Sequence, residues 1–151
     1  MSQIILIPVE EWGGDAVHFL YQLLAERRPE VNISHKAMPS FAQHEAFCAS
    51  KPYAGWWLVV LRCAQEGGEK RVFFTHAVGA CYITHMGEIG IQISCEHQRK
   101  GYARTALNTL IEMHKGQRLL ANIAPGNAAS QRLFAGFGFT HIQNTYCLEA
   151  K

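Results

Sequence analysis

The run Gln98-Arg99-Lys100-Gly101-Tyr102-Ala103-Arg104 places Arg99, Lys100 and Arg104 around one glycine, where the residue pattern turns helical. The first turn of a helix leaves main-chain N–H groups without intrahelical acceptors, and the helix dipole adds positive potential there. Gly101 lets the main chain approach a ligand closely, and Ala103 adds only a methyl group. Such a turn suits a pyrophosphate better than a single carboxylate. Other phosphate-binding patterns do not fit, because the chain has neither GxxxxGK[ST] nor GxGxxG. Taken by itself, the run is equally compatible with a solvated basic helix start that binds nothing.

Metal chemistry finds less support. The chain has 8 histidines and 5 cysteines but no HExxH and no CxxC, and Cys95-x-His97 supplies only two ligands. A zinc site needs about four converging ligands, so no metal is expected. Cys48, Cys63, Cys81, Cys95 and Cys147 lie in apolar stretches and read as buried free thiols of a reducing compartment.

The elements that must position this chemistry come from a chain of 151 residues, enough for one domain with a real core, here residues 1–151. Net charge is +2 and 48% of residues are hydrophobic. That balance excludes a general nucleic-acid-binding surface and argues against disorder. The opening MSQIILIPVEEW has no cationic leader pattern and no apolar run is long enough for a membrane span. A soluble, cytoplasmic protein with no membrane partner is expected, as a monomer or homodimer.

Hydrophobic periodicity predicts a strand at 3–8, then a helix from Gly13-Gly14-Asp15 with Ala16, Phe19, Leu20, Leu23 and Leu24 on one face, stopped by Pro29. Ser40 and Gln43 have capping-box spacing for a second helix. Strands follow at 56–62 and 71–84, joined by a turn at 65–70 around Gly67-Gly68, the second strand with a break near His76. Met86-Gly87 turns the chain into a strand at 88–94. Ala103, Ala106, Leu107, Leu110 and Ile111 form a helical stripe that Gly116 stops. A short strand at 118–124, a helix capped by Asn127 that buries Leu133, Phe134 and Phe137, and a last strand at 140–148 complete the chain. The expected fold is α/β (α+β): a mixed, mainly antiparallel sheet flanked by helices, in the order β-α-α-β-β-β-α-β-α-β.

Two patterns on these elements are similar to one family. Gln98-x-x-Gly101-x-Ala103 follows the strand EIGIQIS, and Asn127-Ala-Ala-Ser130-x-x-Leu133-Phe134 leads into Gly136-Phe137-Gly138-Phe139. Over residues 79–139 the chain resembles the GNAT family of acetyl-CoA-dependent N-acetyltransferases. The resemblance implies that the main chain of Gln98, Arg99, Lys100, Gly101, Tyr102, Ala103 and Arg104 holds the pyrophosphate of coenzyme A. It also implies that Ile91 and Ile93 pair with the pantetheine arm through main-chain groups, in a gap where their strand splays from the next. Asn127 and Ser130 would sit beside the pantetheine or the reacting carbonyl.

Amine acetylation requires a neutral amine, a polarised thioester carbonyl and a proton for the departing thiolate. Glu88, at the start of the strand that would carry the thioester, is the first candidate base, with His35 and His85 as weaker ones. The family commonly has a tyrosine seven residues after the asparagine, placed to protonate the thiolate. Here that position is Phe134, so the resemblance leaves Tyr146, Tyr102 or water as the acid, or a domain that has lost catalysis.

The acceptor side would be residues 14–52 and the following Pro52-Tyr53-Ala54-Gly55-Trp56-Trp57. Their polar and aromatic residues suit a sugar ring or a small amine, although Trp56 and Trp57 also read as strand residues with at least one in the core. The expected partner is a small-molecule amine, with a nucleotide-linked amino sugar favoured over a protein N-terminus, a polyamine or an antibiotic. A domain that binds acetyl-CoA without transferring it is the alternative.

Overall fold

The computed structural model describes residues 2–28, 31, 37–67 and 70–151. A four-stranded antiparallel sheet runs in the order β1 (Ser2–Pro8), β2 (Gly55–Gly67), β3 (Lys70–Ile83) and β4 (Ile89–Ile93). The helices α1 (Val9–Trp12), α2 (Asp15–Ala25) and α3 (Phe41–Ala49) lie between the first two strands in sequence. After β4 come a single 3-10 turn at Cys95–His97 and the helices α4 (Tyr102–Met113) and α5 (Ala128–Gly136).

Strand alternation divides the core into two layers. Val59, Leu61, Val78, Cys81, Ile83, Ile89 and Ile93 face Ala106, Leu107 and Leu110 of α4 and Phe134 of α5. On the opposite face Leu58, Val60 and Ala80 meet Ala16, Leu20 and Leu23 of α2. Full burial of such aliphatic side chains contributes about 1.5–3 kcal/mol each, so the sheet is held from both sides. Capping matches the sequence reading. Ser40 and Gln43 form a reciprocal capping box on α3, and Asn127 Oδ1 accepts from the Ser130 N–H at the start of α5.

Several expectations need correction. The long strand does not break at His76. Instead the register shifts by one residue, Val59 pairing with Gly79 and Val60 with Ala77, so that Val78 is bulged. A one-residue shift reverses the side-chain parity on either side of the bulge. It puts Ala77, Ala80 and Tyr82 on the α2 face while Val78, Cys81 and Ile83 face α4. The hairpin also pairs further than expected, to Gly67 and Lys70. α2 ends at Ala25, and Pro29 lies outside the described residues.

The two C-terminal strands are absent among the described residues. Residues 118–124 make one parallel bridge, Glu88 with Leu120, and residues 140–148 carry no ladder. A strand exists only where its N–H and C=O groups find a partner chain. Neither segment supplies a ladder for the other, and Ile142, Tyr146 and Leu148 are left 62%, 89% and 94% exposed. The cysteines are all free as expected, but only Cys81 is buried; Cys95 and Cys147 are exposed.

Candidate functional site

The link from β4 to α4 is fixed by short local bonds. Ser94 donates its N–H to Val78 O at 2.8 Å, and its hydroxyl meets His97 Nδ1 at 2.7 Å. Gln98 Nε2 donates to Ile93 O at 3.0 Å, and the Cys95 N–H donates to Glu26 Oε2 at 2.8 Å. The chain then takes left-handed conformations at Arg99 (φ 62°) and Gly101 (φ 80°), the latter capping α4. A non-glycine residue at positive φ stores strain, as at Arg99, whereas glycine adopts it freely.

This path has a consequence for the main chain. The Thr105 N–H reaches Gly101 O at 3.2 Å, and among the described residues no hydrogen bond engages the N–H groups of Gly101, Tyr102, Ala103 and Arg104. Consecutive free N–H groups at a helix start form a concave anion-binding nest. A Cβ on Gly101 would meet no atom within 4 Å, so the space over the turn is open. Arg99 and Lys100 are exposed beside it. Tyr102 and Ala103 instead pack against the core. Arg104 is held over the Phe137 ring, 5.6 Å from its centroid, with its guanidinium against Gly136.

β4 supplies a second open edge. Antiparallel pairing directs the N–H and C=O groups of Gly90 and Gln92 toward β3, as the flanking bonds Thr84 N–H to Glu88 O and Ser94 N–H to Val78 O require. The groups of Ile89, Ile91 and Ile93 therefore point the other way. Ile89 N–H is taken by Leu120 O at 2.8 Å and Ile93 O by Gln98. The main chain of Ile91 and the N–H of Ile93 face a gap that opens where the chain beyond Leu120 leaves β4. Their side chains belong to the core, Ile93 buried and Ile91 packed against it.

At the closed end of this gap stands Glu88, half-buried. Its Oε1 accepts from Asn122 Nδ2 at 2.9 Å and its Oε2 from the Thr84 hydroxyl at 3.4 Å. The Glu88 N–H donates to the same hydroxyl oxygen at 3.1 Å, so the turn around Gly87 (φ 80°) and the carboxylate are fixed together. Sequence reasoning missed both partners. Asn122 is 34 residues away and no local pattern marks it.

Strand parity puts Glu88 on the same face as Gly90 and Gln92, and Gln92 Nε2 reaches Leu23 O of α2 at 2.6 Å. On that face the Tyr82 ring lies directly over Gly90, where a Cβ would collide with the ring and its hydroxyl. Tyr53 stacks on Tyr82 at 4.1 Å and 12°. Trp56 meets Tyr53 edge-on at 4.9 Å, and Phe47 touches both. Burial pushes the Tyr53 phenol up to about 12. Burial also raises Tyr82; nearby Arg27 opposes that rise and the Glu88 carboxylate adds to it. The adjacent tryptophans separate. Trp56 joins this aromatic cluster, whereas Trp57 packs on the α4 face with its ring 5.9 Å from His114.

The remaining sequence candidates fall elsewhere. His35 lies outside the described residues, and His85 is exposed in the turn. Tyr146 is 89% exposed in the unpaired C-terminal segment. Phe134 is buried, edge-on to Phe139 at 5.1 Å, and part of the core. Asn127 and Ser130 are both partly buried at the start of α5, with Asn127 engaged in its cap. Among the described residues no group of three or more His, Cys, Asp or Glu is placed to hold a metal. No helix among them is long and apolar enough to cross a membrane.

The family model described as an acetyltransferase (GNAT) domain matches residues 3–140. Among solved structures, a domain from Methanocaldococcus jannaschii is similar with a TM-score of 0.75 at 18% identity, covering 96% of this chain and 93% of that one. The ribosomal-protein-alanine N-acetyltransferase of Brucella melitensis gives 0.61 at 20% identity, over 93% and 86% of the two chains. The Salmonella typhimurium protein yncA, solved with its cofactor acetyl-CoA, gives 0.56 at 18% identity, over 93% and 80%. At these identities the likeness is one of fold. Comparison with curated proteins gives no match.

Proposed function

Because the chain belongs to the acetyltransferase (GNAT) domain family, we propose that it transfers the acetyl group of acetyl-CoA to a primary amine of a small molecule, with nucleotide-linked amino sugars the first acceptor class to test. The observation that carries the reading is the run of free N–H groups from Gly101 to Arg104 at the start of α4, which follows the open edge of β4 in the chain. Together they offer a pyrophosphate nest and, next to it, a strand edge that an extended amide-bearing chain can pair with.

In this reading the main chain of Gln98–Arg104 grips the pyrophosphate, with Arg99 and Lys100 adding charge. Ile91 and Ile93 pair with the pantetheine, which directs the thioester toward the narrow end of the gap. There Glu88, oriented by Asn122 and Thr84, takes a proton from the amine directly or through water. The aromatic cluster of Phe47, Tyr53, Trp56 and Tyr82 lies on the same face of the sheet and supplies the acceptor wall. The Brucella neighbour's named acceptor, a ribosomal-protein alanine, makes a peptide with N-terminal alanine the natural competitor.

Phe134 favours one other reading. A buried phenylalanine cannot give a proton, which fits a domain that binds acetyl-CoA without transferring it. Two assays decide. A melting shift with acetyl-CoA, and none with ATP or NAD, is expected. Free-thiol release is then expected with at least one amine from a panel of nucleotide-linked amino sugars, polyamines and an alanine-terminated peptide. A melting shift with no thiol release across that panel overturns the catalytic reading.

A further inference from the structure

The Tyr82 hydroxyl lies over Gly90 of β4, two residues along the chain from Glu88. Among the described residues no hydrogen bond engages it. The other tyrosines are committed or distant. The Tyr21 hydroxyl donates to Pro39 O at 2.9 Å, and Tyr102 packs into the α4 layer. Tyr146 is exposed, and the Tyr53 ring stacks on that of Tyr82 at 4.1 Å. The stack fixes the ring, and Gly90 is the residue that makes room for it.

We propose that Tyr82 is the proton donor to the departing sulfur, the role that Phe134 cannot fill. The proposal rests on acetyl-CoA lying along β4, as in the proposed function. That placement sets the thioester between Ile91 and Glu88, beside the position the Tyr82 hydroxyl occupies. As the C–N bond forms, the nitrogen gives its proton to Glu88. The C–S bond then breaks with its electron pair on sulfur, and the Tyr82 O–H delivers a proton there. The phenolate recovers a proton from the protonated Glu88 beside it. An amine and a thioester become an amide and a thiol, and both side chains return to their starting states. A phenol raised by burial stays protonated at neutral pH, which keeps the donor loaded.

The test needs no acceptor. A hydrogen bond donated to a thiolate favours the ionised form, so the thiol of bound coenzyme A should titrate lower in the wild type than in Tyr82→Phe. Thiolate absorbance of the protein–coenzyme A complex, followed against pH, reads this directly. A rise of about one pKa unit, tenfold in the ionisation constant, is expected for Tyr82→Phe. Tyr53→Phe, which removes a hydroxyl but keeps the stack, should leave the titration unchanged. With an amine that the wild type acetylates, Tyr82→Phe should lower kcat at least tenfold and leave KM for acetyl-CoA alone. Identical thiol titrations in wild type and Tyr82→Phe, with coenzyme A bound to both, would overturn the proposal. If coenzyme A does not bind the wild type, the cofactor reading fails and this assignment falls with it.

Discussion

The two sides of the gap are built by opposite means. The proposed phosphate side is contiguous, residues 98–104, and would work through main-chain N–H groups that a left-handed glycine and a helix start leave free. The proposed acceptor side is assembled from α3, the loop after it, β2, β3, the start of β4 and the segment at Asn122, and would work through side chains. A main-chain site depends on conformation and tolerates varied side chains. A side-chain site depends on the whole fold bringing distant residues together. The contrast predicts that lesions on the phosphate side abolish binding, whereas lesions on the acceptor side slow turnover and spare binding.

The sharpest break is Gly101→Glu. The new residue would sit at φ 80°, where L side chains are strained, and would aim a negative charge into the nest. Acetyl-CoA at a hundred times its Kd stabilises a binding protein by about 2.7 kcal/mol, and that melting shift should vanish. An intact shift in a folded Gly101→Glu variant would move the pyrophosphate elsewhere. Next in size is Glu88→Gln, which keeps a partner for Thr84 but removes the base. It should lower kcat about a hundredfold or more while the acetyl-CoA melting shift is unchanged. A wild-type rate at neutral pH would remove Glu88 from the mechanism and weaken the division between the two sides.

The same contrast explains what the sequence disclosed. The turn at 98–104 and the cap at Asn127 were legible because each is a local pattern with a local cause. So were the two helix faces, Ala16, Leu20 and Leu23 on one and Ala106, Leu107 and Leu110 on the other. The strands expected at 118–124 and 140–148 were not, because apolar alternation reports a tendency while a ladder requires a partner strand. Asn122 and Thr84 at the Glu88 carboxylate, and the Tyr82 ring over Gly90, depend on register and on the bulge at Val78. No spacing rule in a single chain encodes those meetings.

Gly90→Ala probes where the two sides touch. Its methyl would collide with the Tyr82 ring, so either the ring leaves its stack on Tyr53 or β4 shifts outward. Overpacking of this kind costs about 1–3 kcal/mol, and the protein should melt several degrees lower without losing its acetyl-CoA shift. Turnover should fall about tenfold, because the displaced ring carries both the acceptor wall and the hydroxyl.

The smallest effect is expected from Asn122→Ala. Losing one hydrogen bond to a charged group costs about 1.5–3 kcal/mol when the charge is left buried, less when water can replace the donor. Asn122 is exposed and Glu88 half-buried, so water can take its place, and the loss should be about 1 kcal/mol or a fivefold fall in kcat. Because the effect acts through the orientation of the carboxylate, kcat should fall while KM for acetyl-CoA and the acetyl-CoA melting shift stay as in the wild type. A purely structural role would lower the melting temperature and leave kcat unchanged. Reduced acetyl-CoA binding with kcat unchanged would instead put Asn122 on the phosphate side, and the division between the two sides would fail at its narrowest point.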